Sequence, residues 1–161
     1  KEYISVKKQY PKHKKTAQFT IGYEGASLEE YLNKLIQNDI KVLCDVRKNP
    51  LSMKYGFSKK QLKNATNNLG ILYLHFPEFG IESNKRQNLK TQQDYDKLLK
   101  KYKKQKLPKT KFSQEKILKL MRGHKRTALT CFEADIRRCH RTYVAEAITD
   151  LPDWKYELIH I

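Results

Sequence analysis

The densest group of reactive side chains in the sequence lies near its carboxyl end, at residues 131–141. This segment, CFEADIRRCHR, contains two thiols, two carboxylates, one imidazole and three guanidinium groups. It also marks the point at which an apolar strand pattern, at 127–132, gives way to a helical pattern, at 137–149. Buried structural segments rarely concentrate such groups, so the segment predicts a site at which a ligand is bound or transformed.

Nucleophilic catalysis by Cys131 is one chemistry that this segment could support. Cys131 and Arg137 have the spacing of the anion-binding loops of phosphatases and rhodaneses, in which consecutive backbone N–H groups surround an anion. Those loops usually contain glycine, whereas this one contains none, and Glu133 and Asp135 would repel a phosphate. A thiol-dependent, rhodanese-like or phosphatase-like enzyme that uses Cys131 is therefore one alternative function.

Metal binding is a second chemistry, because Cys131, Cys139 and His140 are all competent ligands for zinc or iron. Cys139 and His140 are adjacent, and adjacent residues of a helix point about 100° apart, which makes a shared ion awkward. We therefore predict no metal site from the sequence, and the identity of any cofactor stays open.

Carboxylate chemistry is the preferred interpretation. Glu133 and Asp45 lie at the ends of two different strands, and they could act as a general acid/base and its ionised partner. We expect Cys131 and His140 to belong to the same catalytic group. The residues expected to bind the substrate are Tyr23, Glu24, Arg47, Cys139 and Arg141. The arginines would hold a phosphate and the tyrosine would stack on a base. The alternative for Asp45 and Arg47 is a buried ion pair that ties strand ends together.

Strand and helix patterns alternate along the chain and predict the elements that would position these residues. Strands are predicted at 17–22, 41–46, 71–75, 127–132 and 156–161. Helices are predicted to begin at Ser27, Ser58 and Arg137. This alternation predicts an α/β fold, a three-layer Rossmann-like domain with a mainly parallel sheet of about five strands flanked by helices. Ligands bind outside the carboxyl ends of such strands, where the candidate residues are expected.

The positive charge is concentrated in two segments. The chain has 34 Lys and Arg against 17 Asp and Glu, for a net charge of +17, and residues 1–15 and 97–126 carry this whole excess. We predict a basic N-terminal arm at 1–16 and a single α/β domain at 17–161 with a lysine-rich helical insertion at about 91–126. Clustered cations favour a nucleic-acid partner, DNA or RNA. The lysines expected to contact it are Lys100, Lys101, Lys103 and Lys104.

The cysteine count and the hydropathy pattern bear on the cell compartment. Three cysteines form no disulfide framework, so we expect Cys131 and Cys139 to be reduced and the protein to be cytoplasmic. No run of 18 apolar residues is present, so we expect no membrane partner. The oligomeric state does not follow from the sequence.

Five segments of the sequence resemble, in order and spacing, the family called domain of unknown function 488. They are TIGYEG (20–25), DVRKNPLS (45–52), GFSK (56–59), GILYLHFPEFGI (70–81) and CFEAD…CHR (131–141). The resemblance covers about residues 17–149. It implies a Rossmann-like α/β domain with a polar cluster built from these segments, and it implies no particular reaction.

The leading hypothesis is a protein that acts on or binds nucleic acid or a nucleotide-derived substrate, with a hydrolase-like or transferase-like site of the repair, modification or defence kind. The alternative from another class is a non-catalytic nucleic-acid-binding module whose polar cluster is structural. A Glu133→Gln substitution separates the two, because an enzyme would lose turnover while a module would keep its binding.

Overall fold

The structure, a computed structural model, describes residues 15–161. The predicted N-terminal arm therefore lies outside the described residues, apart from Lys15 and Thr16. The strands are β1 (Ala17–Gly22), β2 (Val42–Asp45), β3 (Leu72–His75), β4 (Arg126–Cys131) and β5 (Glu157–His160). The helices are α1 (Leu28–Gln37), α2 (Lys59–Asn68), α3 (Gln92–Gln105), α4 (Lys111–His124) and α5 (His140–Thr149). Across residues 15–161, no helix combines the length and apolar character needed to cross a bilayer.

The five strands form one sheet in the order β3-β2-β4-β1-β5, and every neighbouring pair is parallel. This confirms the predicted α/β class, with a parallel sheet flanked by helices. Because all strands run the same way, their carboxyl ends meet at one edge. Asp45 at the end of β2 pairs with Thr130 of β4 and His75 of β3, while Gly22 of β1 pairs with Cys131.

The pleat of the strands divides the core into two layers. Successive side chains of a strand point to opposite faces of the sheet, so Leu43 and Ala128 pack with α1 and α2 on one face. Cys44 and Leu129 pack on the other face, with apolar side chains of α3, α4 and α5. The result is a three-layer fold whose candidate site residues are distributed between two faces at the same edge.

The stretch between β3 and β4 is largely helical. A 3-10 helix at Pro77–Phe79 and another at Ser83–Arg86 precede α3. Thr91 caps α3 by accepting a hydrogen bond from the Asp94 backbone, and the Asp94 carboxylate accepts one from the Thr91 backbone in return. These caps satisfy backbone N–H groups that the helix itself leaves unpaired.

The last helix begins three residues later than predicted. A 3-10 helix occupies Ile136–Arg138, Cys139 is extended (φ −121°, ψ 133°), and α5 begins at His140. The carboxylate of Asp135 accepts a hydrogen bond from the Arg137 backbone at 2.9 Å, which stabilises the separate turn. This turn returns the chain toward the end of β4.

Candidate functional site

Asp45 lies at the carboxyl end of β2 and is fully buried in an ion pair with Arg47. Its Oδ1 accepts hydrogen bonds from the backbone N (3.1 Å) and Nε (2.9 Å) of Arg47, and its Oδ2 accepts from Nη2 at 2.8 Å and from the Tyr73 hydroxyl. Burial alone would lower the pKa of Arg47, but the hydrogen bonds and charge of Asp45 raise it above its usual value. Both carboxylate oxygens of Asp45 are therefore occupied by protein donors, as expected for a buried ion pair that ties strand ends together.

Tyr23 is held by the same network. Its hydroxyl accepts a hydrogen bond from Nη1 of Arg47 at 3.0 Å, and its ring stacks on Phe57 at 4.4 Å between centroids. The ring of Phe132 packs edge-on against Tyr23 at 5.3 Å. Tyr23 is only 4% exposed, so its ring face is not open to a base, whereas Phe132 is 39% exposed.

Arg141, Glu133 and Cys131 form a second polar group at the end of β4. Nη1 of Arg141 donates to the carbonyl of Glu133 and lies 3.5 Å from Sγ of Cys131. The Glu133 carboxylate accepts from Arg86 through Oε1, and its Oε2 lies 3.6 Å from the same sulfur. Burial lowers the pKa of Arg141 below its usual value. Glu24 is exposed and accepts a hydrogen bond from the Ala134 backbone at 3.2 Å, which ties the loop after β1 to this group.

The prediction that Cys131 and Cys139 are unpaired is wrong in this structure, because the two sulfurs form a disulfide. The turn at Ile136–Arg138 and the extended backbone of Cys139 bring its side chain back to the end of β4. Cys44 is the free thiol of the described residues, and burial raises its pKa to about 12.

His140 is buried, and one of its ring nitrogens is hydrogen-bonded to the backbone. Its Nε2 donates to the carbonyl of Val46 at 2.8 Å, and burial lowers the pKa of the imidazole to about 4. The ring is therefore neutral at neutral pH and is held in one tautomer.

The spacing of Cys131 and Arg137 does not produce an anion-binding loop. Arg137 is exposed, and its guanidinium pairs with Asp135, with Nη2 and Oδ2 3.0 Å apart. Cys131 is buried and bonded through its sulfur. This geometry gives no support to the rhodanese-like or phosphatase-like alternative.

A cleft of about 430 Å³, here called the strand-end cleft, opens at the carboxyl edge of the sheet. The loops after β1, β2 and β4 and the segment 81–86 form its walls. Its cationic lining residues are Arg47, Lys48, Lys54 and Arg86. Its apolar lining residues include Leu51, Met53 and Phe132, which are exposed. The cleft therefore combines positive charge with apolar surface, and its volume is in the range of ligand sites.

A second cleft of about 300 Å³, here called the lysine cleft, lies between α3 and the segment 81–86. Its cationic lining residues are Lys85, Lys101, Lys106 and Lys109. Glu82 is the single acidic side chain among the described residues that line either cleft. We refer to the two clefts together as the basic surface.

The 3-10 helix at Ser83–Arg86 forms the ridge between the two clefts. Residues three apart share a face of such a helix. Ser83 and Arg86 accordingly line the strand-end cleft, while Glu82 and Lys85 line the lysine cleft, and Ile81 lines both. The clefts are therefore adjacent sides of one surface.

The electrostatics of Lys106 connect the two clefts. Burial lowers the pKa of its ammonium group, and the positive charges of Lys48 and Lys85 lower it further. Lys48 lines one cleft and Lys85 lines the other, and Nζ of Lys106 donates to the carbonyl of Gly80 between them. The carboxylate of Glu82 acts in the opposite direction and raises this pKa, but the surrounding lysines outnumber it, so the local charge is positive and attracts anions.

Among the four lysines predicted to contact nucleic acid, Lys101 lines the lysine cleft. Lys100, Lys103 and Lys104 are exposed on α3 but do not line either cleft. Nζ of Lys103 lies 5.9 Å from the ring centroid of Tyr143, on the side of α3 that meets α5. The structure thus brings one of the four into the basic surface.

The basic surface also contains residues that sequence reasoning did not select. These are Lys48, Lys54, Lys85, Arg86, Lys106 and Lys109. Lys48 was detectable as a cation directly after β2, and Lys106 and Lys109 lie in the segment with the largest excess of charge. Lys85 and Arg86 lie in a polar stretch without a periodic pattern, so no sequence signal indicated which way they face.

Fold and surface together define an α/β protein with a parallel sheet and a basic surface at the carboxyl edge of that sheet. The chain belongs to the family described as Domain of unknown function DUF488, which it matches over residues 27–148. Comparison with curated proteins gave no match. Comparison with solved structures gave none either.

Proposed function

We propose that this protein binds single-stranded nucleic acid on the basic surface. The observation that carries the proposal is the arrangement of four cationic residues in each of two adjacent clefts, with Glu82 as the acidic exception. Phosphates spaced along a strand could contact the two clefts in succession. Each contact between a lysine or arginine and a phosphate releases condensed counterions, which supplies affinity.

The apolar part of the strand-end cleft supports a single strand as the ligand. Met53, Leu51 and Phe132 are exposed beside Lys48 and Lys54. Bases of an undistorted duplex expose only their edges, whereas the bases of a single strand can stack face-on against such side chains. A cleft with cations at its walls and apolar side chains at its mouth suits an unpaired base joined to its phosphate.

The same geometry favours binding over catalysis. Asp45 has its oxygens filled by protein donors, His140 is buried with its Nε2 on a backbone carbonyl, and Cys131 is in a disulfide. Glu133, the fourth predicted catalytic group, accepts a hydrogen bond from Arg86, so all four have protein partners. The non-catalytic nucleic-acid-binding module is therefore the form of the hypothesis that we propose.

Comparing two exposed phenylalanines tests the role of the apolar surface. Phe132→Ala removes an aromatic ring from the strand-end cleft, and Phe112→Ala removes one from α4, outside both clefts. Stacking of a base on an aromatic ring contributes about 1–3 kcal/mol, which corresponds to roughly 5- to 150-fold in affinity. Fluorescence anisotropy with a labelled single strand should show this loss for Phe132→Ala alone.

Two results would contradict the single-strand proposal. One is tighter binding of a duplex than of a single strand of the same sequence at the same salt concentration. The other is equal loss of affinity for the Phe132 and Phe112 variants, which would mean that no base contacts the strand-end cleft.

An enzymatic function on nucleic acid is the second candidate, and one contact favours it. Arg86 lines the strand-end cleft and also donates to the Glu133 carboxylate, which places an acidic group directly behind the cleft wall. Under this alternative, Glu133→Gln would abolish turnover of an oligonucleotide while leaving its affinity within about twofold. Under the binding proposal, incubation with oligonucleotides yields no product from either the wild type or the variant.

A further inference from the structure

Three potential metal ligands meet on the face of the sheet covered by α3, α4 and α5, and the proposed function does not use them. The sulfurs of Cys131 and Cys139 and a ring nitrogen of His140 all lie within 4.8 Å of one another. All three residues are at most 2% exposed. The cluster joins the end of β4 to the first residue of α5.

The local backbone removes the geometric objection to a shared ion. Adjacent residues diverge by about 100° only where both are helical. Cys139 is extended, with φ −121° and ψ 133°, and His140 is the first residue of α5. The two side chains can therefore approach the same point, and the structure places them there.

We propose that Cys131, Cys139 and His140 bind one Zn²⁺ when the two cysteines are reduced. Two thiolates and one imidazole are a donor set typical of zinc, since soft sulfur ligands and imidazole nitrogen both suit this ion. Each cysteine thiol releases its proton on binding, so that the two thiolate charges balance the charge of the ion.

The surroundings of the cluster suit a metal site. The carbonyl of Val46 can only accept a hydrogen bond, so Nε2 of His140 carries the ring proton and Nδ1 keeps its lone pair. Such a hydrogen bond to the second nitrogen is the usual support of a metal-bound histidine. Nη1 of Arg141 lies 3.5 Å from Sγ of Cys131, where it can donate to a thiolate. Oε2 of Glu133 lies 3.6 Å from that sulfur but outside the cluster, so three protein ligands define the site.

The disulfide and the zinc site are alternative states of the same two sulfurs. The Cα atoms of Cys131 and Cys139 lie 7.2 Å apart, beyond the usual disulfide range of about 4.4–6.8 Å. Sulfurs that share a tetrahedral zinc stand about 3.8 Å apart, which suits the wider Cα separation. A phosphine reductant converts the disulfide to two thiols: the S–S bond breaks, the phosphine takes up oxygen from water, and each sulfur receives a proton. The thiols release these protons when they bind Zn²⁺.

Cobalt provides a direct probe of the site, because Co²⁺ bound by thiolates absorbs in the visible and near-ultraviolet ranges. The full chain is reduced with tris(2-carboxyethyl)phosphine, freed of metal with a chelator, and titrated with CoCl₂ under argon. We expect one Co²⁺ per chain, with thiolate-to-cobalt charge-transfer bands that disappear when ZnCl₂ is added in equal amount. Absence of these bands in the reduced wild type would overturn the proposal.

Single substitutions identify the ligands. Cys131→Ser, Cys139→Ser and His140→Asn should each weaken Zn²⁺ binding by more than about 100-fold, beyond the effect of losing an outer-shell partner. Cys44→Ser is the matched control, because Cys44 is also buried but lies in β2 and is not one of the three. An equal loss for Cys44→Ser, or no loss for the other two cysteine variants, would overturn the assignment.

A measurement on the wild type keeps the test valid if a variant fails to fold. The reduced chain is unfolded in guanidinium and refolded with or without ZnCl₂, and then treated with iodoacetamide at intervals. Mass spectrometry of the peptides should show Cys131 and Cys139 alkylated at least tenfold more slowly with Zn²⁺ present. Equal rates with and without Zn²⁺ would contradict the proposal.

Discussion

At the scale of single residues, the Asp45 carboxylate is part of the framework that shapes the strand-end cleft. It orients Arg47, and Arg47 in turn donates to the Tyr23 hydroxyl and to the Phe57 carbonyl at 2.7 Å. The loop after β1 and the distal part of the loop after β2 are thereby tied to the end of β2. The charge of Asp45 is compensated inside the protein, so Asp45 acts on a ligand only through the position of Arg47.

Removing Asp45 should therefore reduce stability before it affects anything else. Asp45→Ala leaves the buried guanidinium of Arg47 without its counter-charge, which costs about 3–5 kcal/mol. Urea unfolding followed by circular dichroism measures this loss. Lys48→Gln, at an exposed neighbouring position, is the control and should change the free energy of unfolding by less than about 0.5 kcal/mol. An Asp45→Ala protein as stable as the wild type would show that the ion pair is not structural.

The thiols provide a second residue-scale prediction. Burial raises the pKa of Cys44 to about 12, so its reactive thiolate is scarce at neutral pH, and the other two cysteines are joined. Without reductant, a thiol reagent should find no fast-reacting group in the folded protein and one in the unfolded protein. Finding three thiols in the unfolded, unreduced protein would contradict the disulfide.

Sequence reasoning located the polar residues around the end of β4 but did not determine their partners. Cys139 lies outside α5 because its backbone is extended and follows a 3-10 turn. The sequence pattern instead predicts a helix that includes Cys139. Likewise, Asp45 with Arg47 was compatible with either a site or an ion pair. The choice between a site and an ion pair depends on the hydroxyl of Tyr73, which donates to the Asp45 carboxylate and lies 28 residues away in the sequence.

At the scale of elements, the strands and most helices follow from hydrophobic periodicity. The sequence predicted β1 at 17–22, and the structure has it at Ala17–Gly22; β4 differs from its prediction by one residue. Strand order could not be predicted, because β4 enters between β2 and β1 through contacts far apart in the chain. The 3-10 ridge at Ser83–Arg86 was also absent from the prediction, because a single turn is too short to show a period.

The segment from Pro77 to Arg86 is the element that separates the two clefts, and Gly80 fixes its distance from β2. A Cβ on Gly80 would collide with the backbone N and Cα of Lys48, and backbone atoms cannot rotate aside. The carbonyl of the same glycine accepts a hydrogen bond from Lys106. The close approach at Gly80 thus places Lys48 and Lys106 beside each other.

Gly80→Ala should therefore move the segment from Pro77 to Arg86 away from Lys48 and also lower the free energy of unfolding. Overpacking of this kind costs about 1–3 kcal/mol, and displacement of the ridge should lower nucleic-acid affinity in the same variant. Gly123→Ala is the matched control, because a Cβ there meets nothing within 4 Å and alanine favours the helix. Thermal unfolding and fluorescence anisotropy measure the two effects. Equal behaviour of the two alanine variants would contradict this role of Gly80.

At the scale of the whole molecule, the placement of the positive charges matters as well as their number. Lysines of α3 are distributed around the helix, so among them only Lys101, on the side of the segment 81–86, lines the lysine cleft. The sequence identified the charged segment correctly but not which side of it faces the clefts, because that depends on how α3 packs against α5 and the 3-10 helix at Ile136–Arg138. This arrangement makes it possible to separate contact with a phosphate from general attraction.

The most direct test of the nucleic-acid proposal compares two triple variants that remove the same net charge. One replaces the cleft residues Lys85, Lys101 and Lys109 with glutamine. The other replaces Lys100, Lys103 and Lys104, which are exposed on α3 but outside the clefts. The affinity of each protein for a labelled single strand is measured across a series of salt concentrations.

Each lost phosphate contact should flatten the slope of log K against log salt concentration by about 0.7. The cleft variant should therefore lose about two from the slope of the wild type, together with most of its affinity at low salt. The matched variant should keep a slope within about 0.5 of the wild type. Equal slopes and affinities for the two variants, or a larger loss in the matched variant, would contradict the assignment of nucleic-acid binding to the basic surface.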